Sequence, residues 1–226
     1  MAKSPRRRGA SQRYGAPEFR PYVTALGQLA LAWNDLQESL GALFWTVMME
    51  RPPQPGDMIF RAPLWIWHSL RSDLAQREML RAAVNHSNSD WGRSDFLKDI
   101  NWLIKAATDL SHARNDAIHS PLFIVDRSLF GAAYAGSERV APAAWLFNPR
   151  AVSLAKRENL LNEFHYCRDM AVTLSEYARE IDSALINQQR PWPGIPLLPS
   201  RKPQTGRRPQ SRSPKSRAPR RRSSRV

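Results

Sequence analysis

Apolar side chains return every three or four positions through four long stretches of this chain, and packed helices are the arrangement that buries such stripes. Leu26, Leu29, Trp33, Leu36, Leu40, Phe44 and Val47 predict a first helix over 21–49. Pro21 suits its opening turn, where a missing N–H costs nothing, and Pro52-Pro53 ends it. Leu64, Trp67, Leu70, Leu74 and Leu80 predict a second helix over 62–84. A third, on Ile100, Leu103, Ala107 and Leu110, starts after Ser94 as N-cap and runs to His119. It stops there because Ser120 precedes Pro121 and so avoids helical dihedrals. The fourth covers 153–187 on Leu154, Leu161, Phe164, Ala171, Leu174, Tyr177 and Ile181. Between the last two, Leu122-Phe123-Ile124-Val125 and Ala144-Trp145-Leu146-Phe147 read as two short strands, a hairpin lying over the helices. The expected fold is all-α: an up-and-down four-helix bundle with a short extended or hairpin insert before the last helix.

Charge divides the 226 residues into three parts. Residues 1–20 hold six Lys/Arg against one Glu, and residues 190–226 hold twelve Lys/Arg and no acid. The stretch between has 16 Lys/Arg and 19 Asp/Glu, so the excess of +14 resides wholly in the ends. The expected domains are a basic disordered arm at 1–19, a helical domain at 20–188 and a disordered Pro/Arg/Ser-rich tail at 189–226. Such a tail has too little apolar surface to offset its conformational entropy. Arg207, Arg208, Arg220, Arg221 and Arg222 are its candidate nucleic-acid contacts, through phosphate neutralisation and counterion release. A solubility or localisation tail with no required partner is the alternative. Cys167 is the only cysteine, which rules out an intramolecular disulfide and suits a reducing compartment. No secretory signal and no spanning apolar run appear, so the expected location is cytoplasmic, with no membrane contact.

Extending the third stripe by one turn lands on Arg114, where a leucine is due. A guanidinium there must be paired, face a cleft or be satisfied across an interface. His119, whose charge switches near neutral pH, follows in the last turn. With the long first helix and the closing fourth one, Arg114, the polar Asn115 and His119 after four intervening residues resemble the HEPN superfamily. That resemblance covers about residues 20–188 by architecture, while its specific motif is the short run 114–119. It implies a metal-independent endoribonuclease without cofactor, commonly a homodimer in which two motifs share a cleft. It also implies toxin or antiviral defence roles, an antitoxin or regulatory protein as partner, and members that have lost catalysis. Family toxins silenced by a nucleotidyltransferase carry a tyrosine two residues after the histidine; Pro121 stands there, so that regulation does not carry over.

The chemistry fits those residue types. Cleaving RNA without metal uses the ribose 2′-hydroxyl as nucleophile; it needs a base for that proton and positive charge on the phosphate oxygens. His119 is the expected acid or base. Arg114 is the expected phosphate clamp, because its planar donor fork matches phosphate and stays protonated. Residues five apart lie about 140° around an ideal helix, which favours a dimer cleft or a distorted last turn. Asn115 shares a face with His119 and is placed to orient the ring or bind substrate. Glu38, Asn34 and Asp116 are supporting candidates, with Glu38 expected to face Arg114. The competing reading makes His119 a helix-dipole cap and pairs Arg114 with Glu38, Asp109 or Asp116.

Other constellations carry little. The remaining histidines lack ligand spacing for a metal, so none is expected. No Gly-rich phosphate loop or nucleophile elbow appears. Most of the eight tryptophans sit on helix stripes as core, leaving Trp91, Trp145 and Trp192 as candidates for stacking on bases. The expected function is therefore an endoribonuclease acting on RNA. The rival is a catalytically silent binding or interaction module whose basic tails tether it to nucleic acid.

Overall fold

The computed structural model describes residues 20–49, 62–87, 91, 95–118, 122–124, 140–142 and 160–201. Its helices are α1 (Arg20–Met48), α2 (Ala62–Ser69), α3 (Asp73–His86), α4 (Phe96–Ile118) and α5 (Leu160–Ile186). Two three-residue strands, β1 (Leu122–Ile124) and β2 (Val140–Pro142), pair antiparallel between α4 and α5, with Phe123 opposite Ala141. The chain is all-α in its helical body. Among the described residues no helix is long and apolar enough to cross a membrane.

The stripes read from the sequence form the core. Leu29, Leu36, Leu40 and Val47 of α1 are fully buried, as are Ile100, Leu103 and Ala107 of α4 and Ala171, Leu174 and Ile181 of α5. Burying one such Leu or Ile side chain is worth about 1.5–3 kcal/mol, so these three faces dominate the stabilisation. Helix contacts form a ring: α1 on α5, α5 on α4, α4 on α3 and α3 on α1, with α2 laid against α1.

Helix direction differs from the up-and-down expectation. Along α1 and α5, Gln28 meets Arg168, Ser39 meets Ser175 and Arg179, and Thr46 meets Asp182. Positions rise together, so the first and last helices run parallel. An up-and-down order of four makes that pair antiparallel. On α4 and α5, Trp102 meets Tyr177, whereas Ala113 shares a cleft with Tyr166, so this pair is antiparallel. On α3 and α4, Arg77 meets Thr108 and Asp73 meets Arg114, again antiparallel. Helices α1, α3 and α5 thus point one way and α4 the other.

The reason is the break in the expected second helix. Ser72 leaves helical dihedrals, with φ −125° and ψ 122°, and its hydroxyl accepts from the Ala75 N–H as an N-cap. The chain turns there, and α2 carries it back along α1 so that α3 can start afresh. Leu74, expected inside, is consequently half exposed, while Trp67 and Leu80 are buried. The second strand falls at Val140–Pro142 rather than 144–147, and 144–147 lies outside the described residues. Ser94 and the expected start of the last helix at 153 also lie outside them.

Over 190–201 the structure differs from the expected unfolded tail. Trp192 and Leu198 pack against the helices, and the Trp192 indole N–H donates to Asp99 at 2.8 Å. Pro191, Pro193, Pro196 and Pro199 explain how so few apolar anchors suffice, because a proline-restricted chain has less entropy to lose on docking.

Two predictions test this packing. A Cβ added at Gly41 would lie 2.9 Å from Trp67 Nε1, so Gly41 is where α2 seats its indole on α1. Gly41→Ala should lower stability by about 1–2 kcal/mol in urea unfolding, the overpacking strain outweighing the gain in helix propensity. Asp182 accepts a hydrogen bond from Thr46, yet burial pushes its carboxyl above the usual range, the hydrogen bond only opposing this. The folded state therefore holds that proton to higher pH than the unfolded chain, and stability falls as pH rises through the raised value. Asp182→Asn should be more stable than wild type at neutral pH, with the difference gone below about pH 4.

Candidate functional site

Trp33 stands at the junction of three helices. It is 2% exposed on α1, and its indole N–H donates to Asp73 Oδ2 of α3 at 3.0 Å. The Arg114 guanidinium of α4 lies over its ring, 4.7 Å from the centroid, and that of Arg77 of α3 lies 5.9 Å away. Arg114 sits on the stripe because an aromatic face and a carboxylate replace the hydrocarbon a leucine would touch. Cation–π contacts of this kind are worth about 0.5–2 kcal/mol, more as water is excluded.

The carboxylate is Asp73, 3.7 Å from Arg114 Nη1. Asp73 opens α3 directly after the Ser72 cap, where an acid also suits the helix dipole. It acts on both arginines, as an ion-pair partner of Arg114 and through its charge on Arg77. Arg77 is 1% exposed, and its Nε donates to Thr108 Oγ1 at 3.1 Å. Burial pulls its pKa down, Asp73 and Glu78 oppose that, and the positive charge of Arg114 adds to it. Arg77 Nη1 and Arg114 Nε are both buried without a hydrogen-bond acceptor. A quarter of the Arg114 side chain is nonetheless exposed, and Nη1 donates to the neighbouring Asn115 Oδ1 at 3.1 Å. Asn115 itself is exposed. The cluster presents a partly exposed guanidinium and an amide near the C-terminal end of α4, which suits an anion.

Of the expected site residues, Arg114 and Asn115 are together. His119 lies outside the described residues, as do Arg207, Arg208, Arg220, Arg221 and Arg222. The expected pairing of Arg114 with Glu38 is corrected. Glu38 is a largely exposed residue whose carboxylate lies 3.9 Å from His68 Nε2, because that face of α1 is covered by α2 rather than α4. Asp109 pairs with Lys105 at 2.6 Å. Asn34 is exposed on α1, and Asp116 is half-buried in the last turn of α4. Trp91 is buried against Phe96 at 6.3 Å and is core, not a stacking platform; Trp145 lies outside the described residues.

Asp73 and Arg77 were missed by the sequence reading, although signals existed. Ser72-Asp73 is a helix-start pattern, and Arg77 stands four residues on, where an acid and a base share a helix face. Among the described residues no three of His, Cys, Asp and Glu are grouped to hold a metal ion. Burial raises the Cys167 thiol to about 12, Glu163 reinforcing this, so it stays protonated and is a poor nucleophile.

No family model matches this chain, and no curated protein and no solved structure does either.

Removing the shared carboxylate should expose the cost of the cluster. Asp73→Asn takes from the two guanidiniums at one indole the carboxylate that acts on both. It should destabilise the fold by about 2 kcal/mol, discounted for the partial exposure of Asp73. Chemical denaturation of the pair of proteins measures this, and equal midpoints would show that the carboxylate is not what neutralises the arginines.

Proposed function

We propose that this chain is a HEPN-like, metal-independent endoribonuclease, acting as a homodimer in toxin or defence systems under an antitoxin or regulatory protein. The observation that carries the reading is the partly exposed Arg114 guanidinium one turn before the end of α4, five residues ahead of His119. A cleft of four helices and their symmetry mates would bring two such ends together. In the reaction, Arg114 and Asn115 hold the non-bridging oxygens of the scissile phosphate. His119 takes the proton of the ribose 2′-hydroxyl as its oxygen forms a bond to phosphorus. The bond from phosphorus to the 5′-oxygen breaks, and that oxygen receives a proton from the second copy's imidazole or from water. The products are a 2′,3′-cyclic phosphate and a 5′-hydroxyl.

A second reading rests on the intramolecular contacts of Arg114. Trp33, Asp73 and Asn115 account for much of its charge, which suits a catalytically silent RNA-binding module equally well. Cleavage separates the two. The purified protein should cut single-stranded RNA in EDTA and leave cyclic phosphate ends. His119→Ala should lower kcat by at least about a hundred-fold, the usual worth of a general acid or base, with the circular dichroism spectrum unchanged. Absence of cleavage of any RNA, with RNA binding retained, leaves the binding module.

A further inference from the structure

Residues 191–201 return along the groove between α4 and α5, and their burial repeats every three positions. Pro193, Pro196 and Pro199 are partly buried, whereas Pro191, Gly194, Leu197 and Ser200 are exposed. That is the period of a polyproline II helix, the extended form that such proline spacing favours. Each end is held by a side chain on a buried acid. The Trp192 indole N–H donates to Asp99 Oδ2 at 2.8 Å, and its ring lies 6.4 Å from Phe96. Arg201 Nη2 donates to Glu163 Oε1 at 2.7 Å, and its guanidinium sits 4.4 Å over the Tyr166 ring. Asp99 and Glu163 are 4% and 5% exposed, so both acceptors are nearly dry carboxylates, which make strong hydrogen bonds.

The two acids act as a ruler. Trp102 meets Tyr177 across antiparallel helices, so Asp99, three residues earlier, stands level with Glu180 of α5. From Glu180 back to Glu163 is about 26 Å at 1.5 Å per residue. Trp192 and Arg201, nine residues apart, span about 28 Å at the polyproline rise of 3.1 Å. Nine helical residues would cover only about half that distance. The groove thus suits an extended chain with an indole at one end and a guanidinium nine residues on.

The chain's own segment fills this groove incompletely. Beside Leu198 a cleft of about 300 Å³ remains, lined by Trp102, Ala106, Leu110, Tyr166 and Met170. Apolar walls without a neighbour forgo dispersion contacts, and an aromatic ring in place of the leucine would supply them.

We propose that the groove between α4 and α5 is a receptor for a proline-rich segment of a partner protein, with residues 191–201 as a tethered competitor that holds it closed. The partner segment carries Trp-Pro, a proline at every third place, an aromatic residue where Leu198 stands and an arginine nine residues after its tryptophan. Aromatic-lined grooves take such chains because a preformed polyproline helix loses little entropy on docking. The tether favours the chain's own segment through its effective concentration, and the better-filled cleft favours the partner. This function is separate from RNA cleavage and does not involve Arg114.

The test opens the groove in the full chain with the double substitution Trp192→Ala and Arg201→Ala. The probes are fluorescein-labelled peptides of residues 190–201, native and with Leu198→Phe, beside a scrambled peptide of the same composition, all read by anisotropy. The open variant should bind the native peptide at least about ten-fold more tightly than wild type, whose groove is occupied. The Leu198→Phe peptide should bind the open variant about five-fold more tightly again, from the added apolar contact. Circular dichroism checks the fold. If the double variant loses helix, Arg201→Ala alone replaces it, an anchor whose side chain is 44% exposed. No binding to a folded open variant, equal binding to both proteins, or equal binding of the scrambled peptide overturns the receptor. A Leu198→Phe peptide no tighter than the native one makes the chain's own segment the proper occupant and overturns the partner. None of these outcomes bears on cleavage of RNA.

Discussion

One indole organises this protein. Trp33 packs its body into the core of α1, gives its N–H to Asp73 at the start of α3 and lies beneath guanidiniums from α3 and α4. Those contacts fix where three helices cross, because a buried polar group tolerates little displacement once its hydrogen bonds are made. Arg77 is the extreme case, fully enclosed and holding its charge through one threonine and a carboxylate it shares. The fold accepts this electrostatic tension at the same end of α4 where the sequence places its polar motif.

Around that junction the architecture follows from ordinary packing. Faces of α1 and α5 interdigitate along their whole length, with Ser39 and Ser175 bonded to each other across the seam and Thr46 reaching Asp182 near its end. Small hydroxyl-bearing residues let the two backbones approach and satisfy their own donors without water. On the opposite side, α4 closes the ring and receives the returning segment, whose Trp192 and Arg201 each cap an acid in the first turn of a helix, Asp99 and Glu163. The first-turn acids thus serve two purposes, complementing the helix dipole and anchoring the chain that follows α5.

The helices themselves were legible because burial imposes a period. Leu36, Leu40, Ile100, Leu103, Leu174 and Ile181 could be placed inside from spacing alone, and Arg114 stood out as the exception on its stripe. The partners of Arg114 were not legible. Glu38 was a natural choice by proximity to the apolar face of α1, but helix rotation and the intrusion of α2 gave that face to His68 and left Asp73 to meet the arginine. Leu74 misled for the opposite reason. A continuous stripe from Leu64 to Leu80 hides the turn at Ser72, since a capping serine scores no differently from any polar residue in a periodicity count.

By itself, then, the sequence determined which segments are helical, which faces they bury and where the surplus positive charge lies, since all three depend on local spacing and composition. Tertiary structure alone decided the direction of the helices, the sharing of one aspartate by two arginines and the docking of the proline-rich segment along the groove. These arise from contacts between residues tens of positions apart. Their geometry is set by the space above Gly41 and the reach of Trp192 and Arg201, which no local pattern encodes, and by the turn at Ser72, whose capping signal is local but whose direction is not.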